Sequence, residues 1–428
     1  MSAVNPIEYM LQDRACLLAD GATGTNLFDM GLQSGDAPEM WNFEHQDRIA
    51  RLHLEFVNAG CDLILTNTFG GNRHRLKLHD AQDQAYELNR QAALIARGVV
   101  DAQDRPVIVG GSVGPTGELF VPLGEMTPDE AVDAFLEQIN GLKDGGADVI
   151  WIETMSAAEE IEAAAEAARR ADMPYCFTAS FDTAGRTMMG IPPKDLGALA
   201  TGMETPPTAF GANCGVGASD LLVSISEMTA AYPDAIVVAK ANCGIPQYKD
   251  GKFEFTGTPE LMAKYARMAR DCGARIIGGC CGSDGVVVKA IADALKDYEP
   301  GAVPSQEQVI EALGPLSNGP SPHSHGAEED KGERRRRRRR GGVRRRSGPG
   351  RPCGHRRLPA GPGVLPRPAR QSRRGPRHRA AAAVPGAGRN CAGTLRRSAR
   401  GRRLNAVAAC TGVLPLQGSP TLRDDLLP

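Results

Sequence analysis

The chain has 428 residues, enough for one large domain or two ordinary ones, and its formal charge of −1 hides two opposite parts. Acidic residues outnumber basic ones up to residue 333, whereas arginine without any lysine fills the chain from Arg334 onward. The start lacks a secretion signal, no stretch approaches the roughly 18 consecutive apolar residues of a membrane span, and the 11 cysteines are spread along the chain, so we expect a cytoplasmic protein with reduced thiols or thiol metal ligands.

Eight short runs rich in Val, Ile and Leu predict parallel strands buried on both faces. These runs are residues 16–20, 62–66, 107–111, 148–153, 175–180, 209–213, 235–239 and 275–279. The amphipathic segments between them predict helices at residues 48–59, 81–100, 128–145, 157–171, 193–202, 219–231, 259–271 and 284–298. Eight strand–helix units in about 300 residues predict an α/β fold of the (β/α)8 TIM barrel type over residues 10–300, rather than an open doubly wound sheet.

The strand–helix pattern stops after Pro300. Residues 306–313 predict one short helix, and the rest of the segment 301–333 has the Ser, Pro and Gly content of a linker. Residues 334–428 are rich in Arg, Pro, Gly and Ala and predict a disordered tail, because they cannot bury enough apolar surface. An arginine-rich tail could bind nucleic acid. Arginine without lysine is also typical of a GC-rich gene read in a shifted frame, and we favour that origin.

Cysteines stand where a barrel carries its functional groups, at the carboxyl ends of strands. Cys280 and Cys281 lie between glycines after the eighth strand, and glycine lets the chain leave β geometry so that both thiols can face one ion. Cys214 ends the sixth strand. Three thiolates suit Zn²⁺ and leave a fourth position open, as in catalytic zinc sites, although the same thiols could simply pack near glycine. Cys243, after the seventh strand, is either a competing ligand or a packing residue.

Polar residues at other strand ends predict a pocket for an amino acid. Asp20 and Gly21 follow the first strand, and backbone N–H groups in such a glycine-containing segment can receive a carboxylate. Thr66 and Asn67 end the second strand, and Glu153 ends the very apolar fourth strand. An acid in that position needs a partner, for which the ammonium group of an amino acid is suitable. These groups and a thiophilic metal together suit a ligand with a carboxylate, an ammonium and a thiol.

Five motifs give the chain a resemblance to a known family. They read DGATGT at 20–25, TNTF at 66–69, ET at 153–154, NCG at 213–215 and GGCCG at 278–282. With these motifs in this order, the sequence resembles the homocysteine S-methyltransferase family over about residues 10–300. That family includes betaine–homocysteine methyltransferases, S-methylmethionine-using enzymes and the homocysteine module of cobalamin-dependent methionine synthase.

The resemblance implies zinc-dependent methyl transfer to the thiolate of homocysteine, which forms methionine. It implies that Cys214, Cys280 and Cys281 hold Zn²⁺, with no catalytic residue beyond this metal site. The residues that it implies for homocysteine are Asp20, Gly21, Thr66, Asn67 and Glu153. The expected partners are therefore homocysteine and a small methyl donor, without a membrane and without nucleic acid.

The sequence also bears on which molecule donates the methyl group. Residues 20–30 and 112–118 look most like the bacterial betaine–homocysteine methyltransferases, which implies glycine betaine as donor. Aromatic faces bind trimethylammonium groups, and the candidates for them are Trp41, Phe43, Phe69 and Phe120. Arg73, Arg75 or Lys77 could meet the betaine carboxylate. The alternative donors are S-methylmethionine and methylcobalamin. The chain lacks a cobalamin-binding signature, so a corrinoid would arrive on a separate protein.

Two readings from other classes remain open at this point. A barrel aldolase or metal hydrolase would need a lysine or histidine at a strand end. Lys240, which we place after the seventh strand, is the only lysine so positioned, and no histidine is. A non-enzymatic protein would act through the arginine-rich tail as a nucleic-acid binder. The oligomeric state cannot be read from one sequence.

Overall fold

The computed structural model describes residues 5–182, 184–244, 246–249 and 252–317. Eight parallel strands form a ring in the spatial order β1-β10-β7-β6-β5-β4-β3-β2. These strands are β1 (Leu17–Leu18), β2 (Leu63–Leu65), β3 (Ile108–Val113), β4 (Val149–Met155), β5 (Tyr175–Ala179), β6 (Ala209–Cys214), β7 (Val237–Ala241) and β10 (Ile276–Gly279). A parallel bridge between Ala19 and Leu63 joins the first and last strands of this order. The predicted TIM barrel is therefore confirmed, and all eight strands lie within a residue or two of their predicted bounds.

Thirteen α-helices accompany the strands in the described residues. They are α1 (Pro6–Asp13), α2 (Gly24–Asp29), α3 (Trp41–Glu44), α4 (Gln46–Ala59), α5 (Arg73–Leu76), α6 (Ala85–Asp101), α7 (Pro128–Asp144), α8 (Ala158–Arg170), α9 (Pro193–Gly202), α10 (Ala218–Ala231), α11 (Pro259–Asp271), α12 (Gly285–Leu295) and α13 (Gln306–Leu313). The eight predicted helices correspond to α4 and to α6 through α12. Three short 3-10 helices span Pro38–Met40, Lys77–His79 and Gln82–Gln84.

Local sequence signals explain where the barrel helices begin. The Thr127 hydroxyl accepts from the backbone N–H of Glu130, whose carboxylate accepts in return from the Thr127 N–H, and Pro128 occupies the first turn of α7. Thr258 caps α11 in the same way, by accepting from the N–H of Leu261. These caps satisfy backbone donors that have no partner inside a helix.

Two apolar layers hold the barrel together. The outer layer packs strand residues against the surrounding helices, for example Ile64 and Ile150 with Phe56 of α4 and Phe135 of α7. The inner layer lies inside the lower barrel and includes the fully buried Trp151. Strand residues alternate between these layers because neighbouring side chains of a strand point to opposite faces. The inner layer leaves the carboxyl ends of the strands to polar groups.

Several elements were not predicted from the sequence. Helix α1 buries Ile7 and Met10 against the inner layer, so it closes the lower end of the barrel. An antiparallel hairpin of β8 (Pro246–Lys249) and β9 (Lys252–Phe255) follows β7. Lys240 lies within β7 and not after it, which corrects the sequence-based placement.

The predicted helix at residues 306–313 is confirmed as α13, and its Val309 is 3% exposed within the outer apolar layer. The Ser219 hydroxyl also donates to the carbonyl of Gly314 at 2.8 Å. The chain just beyond residue 300 therefore packs on the barrel. The predicted linker beyond residue 317 and the predicted disordered tail at 334–428 lie outside the described residues. Among the described residues, no helix is both long and apolar enough to cross a membrane.

Candidate metal centre and adjoining pocket

Three cysteine sulfurs meet at the carboxyl ends of β6 and β10. The Sγ atoms of Cys214, Cys280 and Cys281 all lie within 4.8 Å of one another, and those of Cys214 and Cys281 are 3.8 Å apart. Two thiolates bound tetrahedrally to one zinc ion at about 2.3 Å would be separated by about 3.8 Å. The donor set and its spacing therefore fit a zinc ion.

The backbone at both turns makes this convergence possible. Cys214 has a φ of 59° and Gly215 a φ of 70°, so β6 ends in a left-handed turn. The strand β10 ends at Gly279, and Gly282 has a φ of 77°. A non-glycine residue adopts a positive φ only when its surroundings hold it there. The departure from β geometry, predicted from the flanking glycines, brings the adjacent Cys280 and Cys281 to one cluster.

Hydrogen bonds among the three thiols shift their pKa values in opposite directions. Hydrogen bonds from the Cys280 and Cys281 thiols lower the pKa of Cys214 to about 3. The same contacts with Cys214 raise the pKa of Cys280 to about 12 and raise that of Cys281. These contacts favour the thiolate form of Cys214 over that of its two neighbours. Three thiolates at this spacing require a cation, which would replace the two remaining protons.

Cys243 does not belong to this cluster. Its side chain is 2% exposed and packs in the outer apolar layer, and burial raises its pKa to about 11. The structure thus favours a packing role for Cys243 over a ligand role. The thiols of Cys61, Cys176 and Cys272 are buried in apolar surroundings as well.

Asp20 lies close enough to the cysteine cluster to interact with the charge of Cys280, but it has protein partners on both carboxylate oxygens. Lys240 Nζ donates to Oδ1 at 2.5 Å, and the Leu65 N–H donates to Oδ2 at 2.7 Å. The Asp20 carbonyl accepts from the N–H of Gly279 at 3.1 Å. This one residue therefore ties β1 to its neighbours β2 and β10 and, through Lys240, to β7.

Lys240 is the main site residue that the sequence analysis missed. The side chains of Lys240 and Asp20 are each 1% exposed. Burial alone would lower the pKa of Lys240, but the charges of Asp20 and Glu153 raise it above its usual value. The two acids thus favour the charged form of the buried Lys240 side chain. Its signal in the sequence was a lysine inside the apolar run of β7.

Glu153 is the more accessible of the two acids. Its Oε1 accepts from the Ser112 hydroxyl at 2.5 Å, and its side chain is partly exposed at the end of β4. Burial raises the pKa of Glu153 to about 7, and Lys240 opposes this rise. The strand is irregular at this point, because its register shifts between Ile152 and Met155.

The remaining predicted pocket residues make hydrogen bonds or close packing contacts with other parts of the chain. The Thr66 hydroxyl accepts from the Ser112 N–H at 3.0 Å, and the Asn67 side-chain amide donates to the Pro38 carbonyl at 2.7 Å. Gly21 packs closely, since a Cβ placed there would lie 2.3 Å from the Ser283 carbonyl oxygen. All three lie on the rim near Asp20. The side-chain contacts of Thr66 and Asn67 order their loops, and the close packing of Gly21 leaves no room for a side chain there.

The predicted donor-binding side chains differ in accessibility. Trp41 is 4% exposed and packs between His45 and the Arg48 guanidinium, so it serves its own loop. Phe43 and Phe69 are 36% and 38% exposed. Among the predicted cations, Arg73 pairs with Glu137 at 2.8 Å. Phe43 and Phe69 are thus the most exposed of the four predicted aromatic side chains, whereas Phe120 is partly buried against the outer apolar layer.

The sequence of this chain identifies its family. The sequence model described as homocysteine S-methyltransferase matches residues 17–295. The chain belongs to the homocysteine S-methyltransferase family.

Similar proteins include two methionine synthases. The Mycobacterium leprae protein is 29% identical over an alignment of 313 residues that covers 69% of this chain and 25% of that protein. The Mycobacterium tuberculosis protein is 28% identical over an alignment of 317 residues that covers 69% of this chain and 26% of that protein. The chain thus spans about a quarter of the length of these relatives.

A solved structure shares the fold. The homocysteine methyltransferase MmuM from Escherichia coli, in its metallated form, aligns with a TM-score of 0.58 at 23% identity. The alignment covers 68% of this chain and 99% of the Escherichia coli chain. The same barrel architecture is therefore present in both proteins.

Proposed function

We propose that this protein transfers a methyl group to the sulfur of homocysteine and so forms methionine. The observation that carries the proposal is the cluster of Cys214, Cys280 and Cys281 beside two acids on the rim of a barrel of this family. A thiol-seeking metal and ammonium-binding carboxylates match the two ends of homocysteine.

Cys214, Cys280 and Cys281 would hold Zn²⁺ in this proposal. When bound, zinc would supply a Lewis acid that keeps the thiol of homocysteine deprotonated at neutral pH. Three protein ligands leave one tetrahedral position open, which is typical of catalytic zinc. The protein residues then have to orient homocysteine and the donor and exclude water from them.

The acids would hold the amino-acid part of homocysteine. Glu153 has the accessible carboxylate and would receive the ammonium group. Asp20, which is paired with Lys240, would contribute its charge to the same pocket. The backbone of Gly21 and the ordered residues Thr66 and Asn67 would complete the wall.

The chemical step needs only these groups and the donor. The sulfur electron pair forms a bond to the methyl carbon, and the bond from that carbon to the donor atom breaks with its electrons. With glycine betaine, the donor atom is the quaternary nitrogen, and dimethylglycine leaves. The sulfur reacts as a thiolate and the amine leaves with the bonding electron pair, so the transfer itself moves no proton. In-line positioning of the two reactants is the main task of the site.

Glycine betaine is the donor that we propose, because residues 20–30 and 112–118 resemble the bacterial betaine-using branch and Phe43 and Phe69 are exposed. The relatives named methionine synthase favour a second candidate, methylcobalamin delivered by a separate corrinoid protein. S-methylmethionine is the third candidate methyl donor.

A turnover assay tests the function and the donor together. The purified full chain, loaded with zinc, would be offered homocysteine with betaine, methylcobalamin or S-methylmethionine in separate reactions. We expect methionine with betaine, and loss of turnover after a chelator removes the zinc. Turnover with methylcobalamin alone would replace betaine by the corrinoid donor. Failure to bind homocysteine in the zinc-loaded state would contradict the proposed function.

We further propose that the barrel over residues 10–300 carries this activity and that the tail from Arg334 has no part in it. A chain that ends at Gly332 tests this division directly. The expected result is unchanged methyl transfer. Loss of an activity toward nucleic acid, with methyl transfer absent from both chains, would instead favour the tail as the functional part.

A further inference from the structure

Glu39 is a buried acid on the barrel rim that has no part in the metal cluster or in the homocysteine pocket. It lies in the 3-10 helix Pro38–Met40 and is 6% exposed. Its Oε1 accepts from the N–H of Gly70 at 2.6 Å, and a Cβ on Gly70 would lie 2.8 Å from the same oxygen. Gly70 has no positive φ, so the room for this carboxylate, and not the backbone conformation, requires glycine there.

The Glu39 carboxylate is buried without a cationic partner of its own. In the part of the chain that the structure describes, no lysine, arginine or histidine forms an ion pair with it. Burial raises the pKa of Glu39, while hydrogen bonds from its own N–H and that of Gly70, and the more distant charge of Arg75, oppose this rise. A neutral amide could hold the Gly70 N–H as well, whereas a buried carboxylate without a counter-ion costs free energy of folding. A positively charged ligand would supply the missing partner.

Each of the two segments that meet at Glu39 carries an exposed aromatic ring. Phe69 directly precedes Gly70 and is 38% exposed. Its ring rests on the loop after β3, where a Cβ on Gly114 would lie 2.6 Å from two ring carbons. Phe43 lies in α3, which follows the helix that carries Glu39, and is 36% exposed. Aromatic faces attract quaternary ammonium cations, and a nearby negative charge adds to that attraction.

Arg75 places an available positive charge on the same side of the rim. The Asn72 Oδ1 accepts from the Arg75 N–H at 3.0 Å, and the Asn72 Nδ2 donates to carbonyls of the loop after β3. The guanidinium lies beside that loop, 3.3 Å from the place of a Cβ on Gly117. Among the described residues Arg75 has no ion-pair partner, whereas its neighbour Arg73 pairs with Glu137 at 2.8 Å. Arg75 is therefore available to bind a carboxylate.

Glu39, Phe69 and Arg75 lie on the same rim of the barrel as the cysteine cluster. The Asn67 side chain, at the carboxyl end of β2, donates to the Pro38 carbonyl at 2.7 Å and so holds the helix of Glu39 against β2. In the closed ring, β1 alone separates β2 from β10, the strand that leads to the two adjacent cysteines. Two strand spacings correspond to about 10 Å along the barrel wall. A small donor and the side chain of homocysteine together span such a distance.

We propose that Glu39, Phe69 and Arg75 form a donor corner, a recognition site for a small zwitterionic methyl donor of the onium carboxylate class, such as glycine betaine. The Phe69 ring and the charge of Glu39 attract the onium group, and the Arg75 guanidinium binds the carboxylate. The inference rests on the proposed methyl transfer and deepens it, because it assigns the choice of donor to residues outside the metal cluster and the homocysteine pocket.

Ligands that carry only one of the two charges test each half of the donor corner. The full chain would be loaded with zinc and with homoserine, which has no thiol to accept a methyl group. Calorimetric titration then measures the dissociation constants of betaine, of tert-butylacetate, which has the carboxylate but no positive charge, and of choline, which has the positive charge but no carboxylate. We expect the unmodified chain to bind betaine about tenfold more tightly than either of the other two.

Two substitutions should remove these preferences one at a time. Glu39→Gln keeps an acceptor for the Gly70 N–H but removes the charge, so betaine and tert-butylacetate should bind alike while the preference over choline remains. Arg75→Gln should abolish the preference over choline and keep the preference over tert-butylacetate.

Two further variants guard against effects on folding. Gly70→Ala would displace the Glu39 carboxylate without altering any charge, so it should reduce the preference over tert-butylacetate even if Glu39→Gln does not fold. Arg73→Gln is the matched control for Arg75→Gln, since Arg73 lies in the same helix and pairs with Glu137. We expect Arg73→Gln to keep both preferences, and thermal unfolding shows which variants are folded.

The outcomes distinguish this inference from the proposed function. Failure to bind homocysteine would contradict the function itself, whereas loss of the ligand preferences would contradict only the donor corner. Equal weakening of all three ligands by Glu39→Gln and by Arg75→Gln would indicate a structural role and overturn the inference. An unmodified chain that binds betaine no more tightly than choline and tert-butylacetate would overturn it too, as would methylation of homocysteine by methylcobalamin but not by betaine.

Discussion

The site has a thiol half and an acid half, and they differ in whether the protein itself supplies a positive charge. On the thiol half, at the ends of β6 and β10, the hydrogen bonds among the three thiols lower the pKa of Cys214 and raise those of Cys280 and Cys281. On the acid half, at the ends of β1 and β4, the protein supplies its own cation in Lys240. The three clustered sulfurs could therefore share an added positive ion, whereas the acid half already contains a positive charge.

This difference indicates what each half can do for a ligand. A cluster that needs a cation would bind its metal tightly and persistently. An acid half with two carboxylates and one lysine keeps a modest excess of negative charge, which suits the reversible binding of a zwitterion. Variants in either half should therefore have different effects on metal binding, stability and ligand binding.

Removing one sulfur should disable the thiol half. We expect Cys281→Ser to lower zinc affinity by far more than the roughly 100-fold that changes around metal ligands cause, and to abolish methyl transfer. Zinc content after dialysis, measured by mass spectrometry, checks this. Cys272→Ala is the matched control, since that buried thiol lies at the end of α11. Equal zinc content in the two variants would show that the cluster does not hold the metal.

Removing the cation should destabilise the acid half. Lys240→Met leaves Asp20 buried without its charged partner, which typically costs about 3–5 kcal/mol in the free energy of unfolding. Urea unfolding of the metal-free protein measures this change. The double variant Asp20→Asn/Lys240→Met should recover much of the loss, because it removes both charges. A single variant as stable as the unmodified chain would show that the pair is not a buried ion pair.

Ligand binding to the acid half should depend on pH. The pKa of Glu153 is raised to about 7, so its carboxyl becomes neutral as the pH falls and loses its attraction for an ammonium. Methionine is a useful probe because it lacks a titrating thiol. We expect its dissociation constant to rise about tenfold from pH 8 to pH 6. Glu153→Gln should bind weakly at both values; a variant with an unchanged pH profile would exclude Glu153.

A change far from both halves should affect stability alone. Thr127→Ala removes the capping box of α7 and should cost about 1 kcal/mol in the free energy of unfolding. Calorimetry of the purified variant measures the loss. Zinc content and methionine affinity should stay at the level of the unmodified chain. A change in either would indicate that α7 influences the rim.

The barrel was predictable because its strands are continuous apolar runs and its helices carry start signals such as Thr127-Pro128. The thiol cluster was predictable because glycines flank the cysteines at two strand ends. Helix α1 was missed although Asn5 and Pro6 form an ordinary helix start, with the Asn5 side chain accepting from the N–H groups of Ile7 and Glu8. The Asp-Gly pair between β8 and β9 was likewise an available hairpin signal.

The partners inside the site could not be predicted in the same way. A lysine in the apolar run of β7 signals a buried charge, but only the closed ring brings Lys240 of β7 to Asp20 beyond β1. The Asn242 side chain accepts from the N–H of Cys281 and donates to the carbonyl of Gly215. These contacts depend on the shapes of the turns after β6 and β10, which no local sequence pattern specifies. Pairings across the barrel axis are set by the register of all eight strands, so they emerge only from the folded structure.

A comparison of homocysteine with homoserine shows whether the thiol half and the acid half bind one and the same molecule. The two ligands differ only in sulfur against oxygen, and calorimetric titration measures both with and without zinc. We predict that homocysteine binds more tightly than homoserine only to the zinc-loaded protein, and that Glu153→Gln weakens both ligands alike. Equal affinity for the two ligands in the zinc-loaded protein, or no effect of Glu153→Gln on either, would contradict the account.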